Sequence, residues 1–199
     1  MSTLTVQNIQ GSSSSSNTIN VASGHKISGA AGAISVPGTI VQTLQSIKTD
    51  TQVIASSFPS LTQISGLTVN ITSQTANSKF LLSTSIVVGS AYYTSGFRFA
   101  KDGTAISPVG DVSNSNTPVS WGFNFYDANN GHEDHNVAMV SYQYLYSSSA
   151  AAGTSIAFDV HGGPYSSDYV LTINRPNDGS TAASRLRGTS QLLVQEITQ

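Results

Sequence analysis

The chain has no cysteine and little charge. Without cysteine there is no disulfide framework, no thiol nucleophile and no cysteine-held zinc. Eight Lys and Arg face ten Asp and Glu, so charged residues are 9% of the 199, against roughly 25% in an average soluble domain. The formal charge of −2 is too small to draw nucleic acid or an acidic membrane by bulk electrostatics. No run of about 18 apolar residues is present, which excludes a membrane-spanning helix and argues against membrane insertion. Residues 1–10 lack the basic and apolar parts of a signal peptide, so none is expected there.

Serine and threonine fill the gap left by charge, with 34 and 20 residues. Their hydroxyls make a neutral surface whose hydrogen bonding depends only weakly on salt, unlike that of ion pairs. The 38% apolar content suffices for one core. A chain of this length makes one domain plus an arm, and such a domain buries about 70% of its chain surface.

Residues 1–39 differ from the rest. They hold Lys26 as their only strong charge, no aromatic residue, and the serine tract Ser12 to Ser16. Short apolar alternations around Leu4, Val6, Ile9, Ile19 and Val21 cannot build a core. Such a segment is disordered or lies extended along a partner that supplies buried surface; an extended docking arm is the expectation.

From Thr39 onward the pattern is β. Residues 66–72 alternate Leu67, Val69 and Ile71 with polar residues, a period of two that marks a strand with one dry face. Residues 39–47, 51–55, 79–89, 118–126, 137–146, 154–160, 169–174 and 189–197 read as further strands. A helix through Ile40, Leu44 and Ile47 is disfavoured by the β-branched content and the lack of a capping box. Residues 96–106 read as a hairpin turning at Lys101, Asp102 and Gly103, because Asp-Gly supplies the positive φ of a tight turn. About ten short strands with regular turn signals imply an all-β sandwich or closed barrel.

The arm LTVQNIQGSSSSSNTINVASGHKI, followed by GTIVQ, resembles the openings of structural proteins from tailed bacteriophages, marine and cyanobacterial ones especially. The stretches LTVNITSQTANSKFLLSTSIVVG, GFRFAKDGTAI and SRLRGTSQLLVQEI resemble C-terminal domains from the same setting. The likeness covers most of the chain and lies in spacing and residue type, without an invariant motif. It implies an antiparallel jelly-roll sandwich over residues 40–199, similar to C1q and tumour-necrosis-factor modules, which form three-fold assemblies. It further implies a non-enzymatic virion protein assembled in the host cytoplasm. This would be a homotrimeric tail fibre, or a capsid fibre or decoration, docked to other virion proteins by residues 1–39. Residues 111–136 are longer and more polar than that pattern.

Candidate sites follow. His132, Glu133, Asp134 and His135 could offer imidazole and carboxylate to a divalent cation. The spacing of the two His does not match H-E-x-x-H, and the surroundings read as a solvated polar loop, so no metal and no cofactor are expected. A histidine contact there would titrate near neutrality. No G-x-S-x-G elbow exists and the ten carboxylates are scattered over turns, so no catalytic residue is expected. Trp121, Phe123, Phe125, Phe97 and Phe99 read as core. Tyr92, Tyr93 and Tyr165, beside Gly or Ser in loops, are the candidates for contact with a host-surface glycan, the alternative role as a receptor-binding head. Tyr142, Tyr144 and Tyr146 share one strand face that packs in the core or lines a trimer interface, where tyrosine is enriched, with glycan contact as a further reading. By the resemblance alone, Arg185 and Arg187 join them, with Glu196 meeting a neighbour's arginine.

Overall fold

The computed structural model describes residues 9, 11, 19, 21–27, 36–90, 94–106, 108–111, 118–124, 135–179, 182 and 185–199. The chain divides into two compact units, residues 1–34 and 35–199. Most of the expected arm lies outside the described residues. Within the first unit, residues 21–27 are exposed, and His25 N donates to Ala22 O across a turn in which Gly24 has positive φ.

The second unit is all-β, with eleven strands among the described residues: β1 (Ile40–Lys48), β2 (Gln52–Ile54), β3 (Thr62–Thr72), β4 (Lys79–Ser90), β5 (Thr94–Lys101), β6 (Thr104–Ala105), β7 (Trp121–Asn124), β8 (Ala138–Ser147), β9 (Ser155–Pro164), β10 (Leu171–Ile173) and β11 (Ser190–Ile197). Sheet I runs β1-β11-β4-β8, with β10 and β2 continuing the second and first positions beyond β11 and β1. Sheet II runs β3-β9-β5, with β7 and β6 following one another along the far edge of β5. All pairings are antiparallel. Successive long strands alternate between the sheets, and the last long strand of each lies between its earlier ones. This is the double Greek-key connectivity of a jelly roll.

The period-two pattern sets the core. Phe80, Leu82, Ile86, Val88, Leu192 and Val194 face inward from sheet I and are fully buried. Leu67, Val69, Ile71, Phe97, Phe99, Ile156, Phe158 and Val160 meet them from sheet II. Phe80 and Phe158 pack with ring centroids 5.2 Å apart across the two layers. Along the β7–β8 side, Trp121 stacks on Tyr142 at 4.7 Å and tilts against Phe99 at 5.0 Å. The aromatics Phe97, Phe99, Trp121 and Phe123 are core or pack against it, as their parity suggests; Phe125 lies outside the described residues.

The hairpin forms where expected, with Asp102 at φ 49° and Gly103 at φ 78° between β5 and β6. Asp102 holds it in two ways. Its carboxylate pairs with Lys101 Nζ at 2.7 Å and accepts from Ala157 N at 3.0 Å. The lysine contact, then the Ala157 amide, keep its pKa below the ordinary carboxylate range.

Two strands extend beyond their sequence signals. β9 continues through Gly162, Gly163 and Pro164, which read as a turn cluster. A Cβ on Gly162 would lie 2.7 Å from the Phe97 ring, and one on Gly163 would lie 2.6 Å from Ser56 O. Glycine here allows close packing on both faces of a strand. β3 begins at Thr62 rather than Gly66, because a register shift between Gln63 and Thr68 interrupts its alternation.

The two ends of the sandwich are held differently. At one, Gly38 N donates to Thr198 O, Thr39 Oγ1 donates to Val36 O, and Thr198 N donates to Thr39 O. Residues 36–39 are thereby tied beside the last strand. At the other, Asn174 joins the β1–β2 connection to β11.

Candidate functional site

The outward face of sheet I is built by the strand residues whose neighbours fill the core. Register places Gln195, Leu81 and Leu145 in one row, Leu193, Ser83 and Gln143 in the next, and Gln191, Ser85 and Ser141 in a third. Among the described residues, Lys79 is the only charged side chain on these strand positions. Ser141 Oγ donates to Ser85 Oγ at 3.1 Å, and Gln45 Nε2 donates to Gln191 Oε1 at 2.6 Å. The face thus satisfies part of its polarity sideways. A depression of about 500 Å³ lies in its middle, walled by Ser83, Ser85, Ser141, Gln143, Gln191 and Leu193. Leu145 stands out at 46% exposed and Met139 at 66%. A second, apolar hollow of about 280 Å³ lies beside Met139, between Val87, Val137, Leu186 and Gly188.

The residues chosen from the sequence fall mostly elsewhere. Tyr142, Tyr144 and Tyr146 point to the inside, half-buried against the core, and Tyr146 meets Phe158 edge-on at 5.9 Å. Their parity marks the inner face of β8; the outer one carries Met139, Ser141, Gln143 and Leu145. Glu196 is also turned inward and fully buried. Its carboxylate accepts from Gln42 Nε2, Ser78 Oγ at 2.6 Å, Ser73 Oγ at 3.1 Å, and the backbone N–H groups of Gln74 and Thr75 at 2.9 and 3.1 Å. A neighbour's arginine therefore does not reach Glu196, whereas the three tyrosines pack against the core and keep part of their surface exposed. Burial acts to raise the Glu196 pKa, but donation from Ser78, Gln74, Gln42 and Thr75 outweighs it and leaves the group below its ordinary value.

Arg185 Nε donates to Asp178 Oδ2 at 2.6 Å within the loop before β11. Arg187 is exposed beside the apolar hollow. His135 Nε2 lies 3.7 Å from the same Asp178 oxygen, which Arg185 already occupies. Among the described residues, no group of three or more His, Asp and Glu could hold a metal ion. His132, Glu133 and Asp134 lie outside the described residues, as do Tyr92 and Tyr93. Tyr165 follows β9 and is 60% exposed.

The outward face of sheet II carries a charged group that sequence reading passed over. Arg98 on β5 sits opposite His161 on β9, and His161 sits opposite Gln63 on β3. Asp159 follows on the same face of β9. Burial, and secondarily Arg98, depress the His161 pKa, while Asp159 and a hydrogen bond to the Leu61 backbone oppose this. The available signal was Arg98 itself, at the parity opposite to Phe97 and Phe99.

No protein-family model matches the chain, and no curated protein is similar to it.

Proposed function

We propose that this is a non-enzymatic virion structural protein of a tailed bacteriophage. In this reading residues 40–199 are the jelly-roll head of a homotrimeric appendage, a tail fibre or a capsid fibre or decoration. Residues 1–39 dock it to other virion proteins, and assembly takes place in the host cytoplasm. The virion setting rests on the resemblance of the sequence stretches given above. The observation that carries the assembly is the outward face of sheet I. Interface centres are depleted in charge, and a neutral face meets copies of itself without like-charge repulsion. It offers exposed Leu145 and Met139 as projections and a depression of about 500 Å³ to receive side chains. A three-fold ring uses a projection from one copy and a hollow from the next.

Immunogold labelling of purified particles, from the phage whose genome encodes the chain, tests the setting. Label at a fixed position on intact virions is expected. Label found only in host lysate, with particles bare, would remove the structural role. A second reading, recognition of host glycan by the head, is favoured by the exposed ring of Tyr165.

A further inference from the structure

Strand edges present backbone N–H and C=O groups that attract another strand, and native folds blunt them with charge, proline, bulges or short length. The head treats its edges unequally. Where sheet I ends on β1 and β2 and sheet II ends on β3, side-chain amides bridge the gap. Gln42 Nε2 donates to Thr72 O at 2.7 Å, Gln52 Nε2 donates to Gln63 O at 3.2 Å, and Gln52 Oε1 accepts from Ser65 N at 2.8 Å. On the other side sheet II ends on β6 and β7, which are two and four residues long. Sheet I ends there on β8, which has ten.

β8 has none of the usual safeguards. It holds no charged residue, no proline and no glycine. Its register with β4 runs unbroken from Ser147 opposite Lys79 to Ala138 opposite Val88. Among the described residues β4 is its only strand partner, and no backbone bond reaches its outer edge. Exposure follows from this. Tyr144 and Tyr146 are only half-buried, while Leu82 and Phe80 beside them on β4 are fully buried. Ser141 and Gln143 are exposed on the outward face.

We propose that β8 is a docking strand for an extended segment of a partner polypeptide whose apolar residues alternate with Ser, Thr or Gln. A bare row of backbone donors and acceptors at strand spacing is matched by another extended backbone, which supplies the affinity, while alternate side chains supply the specificity. Side chains of an added strand lie beside those of β8 on each face. Apolar ones complete the cover of Tyr144 and Tyr146, and hydroxyls or amides continue the row of Ser141 and Gln143. A neutral strand fits an edge without charge. Strand addition to β8 rests on neither the virion setting nor the mass of the assembly, so it is tested separately.

The experiment is amide hydrogen exchange of the full chain, read residue by residue by NMR. The probe is the peptide acetyl-Thr-Val-Gln-Val-Thr-Val-Gln-amide. In the free chain, the alternate β8 amides that point away from β4 should exchange fast. With peptide at ten times its dissociation constant they should slow about tenfold, while the amides of β1 and β3 keep their rates. The same peptide N-methylated at every bond should have no effect. Unchanged β8 rates at saturating solubility of the peptide, or slowing at β1 or β3 instead, would overturn the site. Equal slowing by the N-methylated peptide would overturn strand addition. Slow exchange of these amides without peptide, deepening with protein concentration, would show a second copy on the edge and overturn the choice of partner.

Discussion

Replacing Glu196 by glutamine lowers the melting temperature at neutral pH by roughly 5–15 °C, although the two side chains have nearly the same shape. Every group around the carboxylate is a donor: the Gln42 amide, the Ser73 and Ser78 hydroxyls, and the N–H groups of Gln74 and Thr75. Glutamine brings two N–H donors into that ring and leaves some partners without an acceptor. Each unmatched buried donor costs about 1–3 kcal/mol. The β3–β4 loop that carries Ser73, Gln74, Thr75 and Ser78 is also tied to residues 148–154, through Asn77 N to Ala150 O and Ser148 N to Ser78 O, so both loops at this end loosen together.

The pH dependence has a definite sign. The folded-state pKa of Glu196 is lowered from 4.5. Its contribution is therefore present above the unfolded value and is lost as pH falls through the folded one. Melting curves at pH 7 and at successively lower pH values below 4.5 check this. The gap between the native protein and Glu196→Gln should narrow with acid. A constant gap would mean that the carboxylate charge plays no part.

The second large effect is expected at the opposite end. Asn174 has φ 62° and is fully buried. Its Nδ2 donates to Lys48 O and Asp50 O, both at 2.9 Å, and its Oδ1 accepts from Ser190 Oγ at 2.6 Å. Ser190 Oγ in turn accepts from Val87 N, so one side chain joins β1, β4 and β11. Asn174→Ala removes all three bonds and places a Cβ-bearing residue in the left-handed region without asparagine's local compensation. A loss of about 3–5 kcal/mol is expected in urea unfolding. Asn174→Gly keeps the backbone free and should be no less stable than the alanine variant. A loss under about 1 kcal/mol for Ala would show that the connection is not held by this side chain.

The sandwich was readable because alternation is local. Val69 and Ile71, or Phe97 and Phe99, declare a dry face within one strand, and Asp102-Gly103 declares its turn. The unread parts depend on distant partners. Gly162 and Gly163 looked like a turn until Phe97 and Ser56 gave them a reason to be small. The tyrosines of β8 showed a shared face, but no property of the strand says whether that face looks inward. Its pairing with Phe80, Leu82 and Thr84 does. Glu196 gathers donors more than a hundred residues away. Asp159 is held by Gln63 and Thr68, a choice made by the β3–β9 register.

Light scattering after size-exclusion chromatography tests the proposed assembly most directly. The native chain should have three times its 20.7 kDa mass. Leu145→Glu, which puts a charge on the neutral face of sheet I, should have the mass of one chain with an unchanged circular dichroism spectrum. A native mass of 20.7 kDa, or a trimer that survives Leu145→Glu, would contradict the assignment of that face to neighbouring copies.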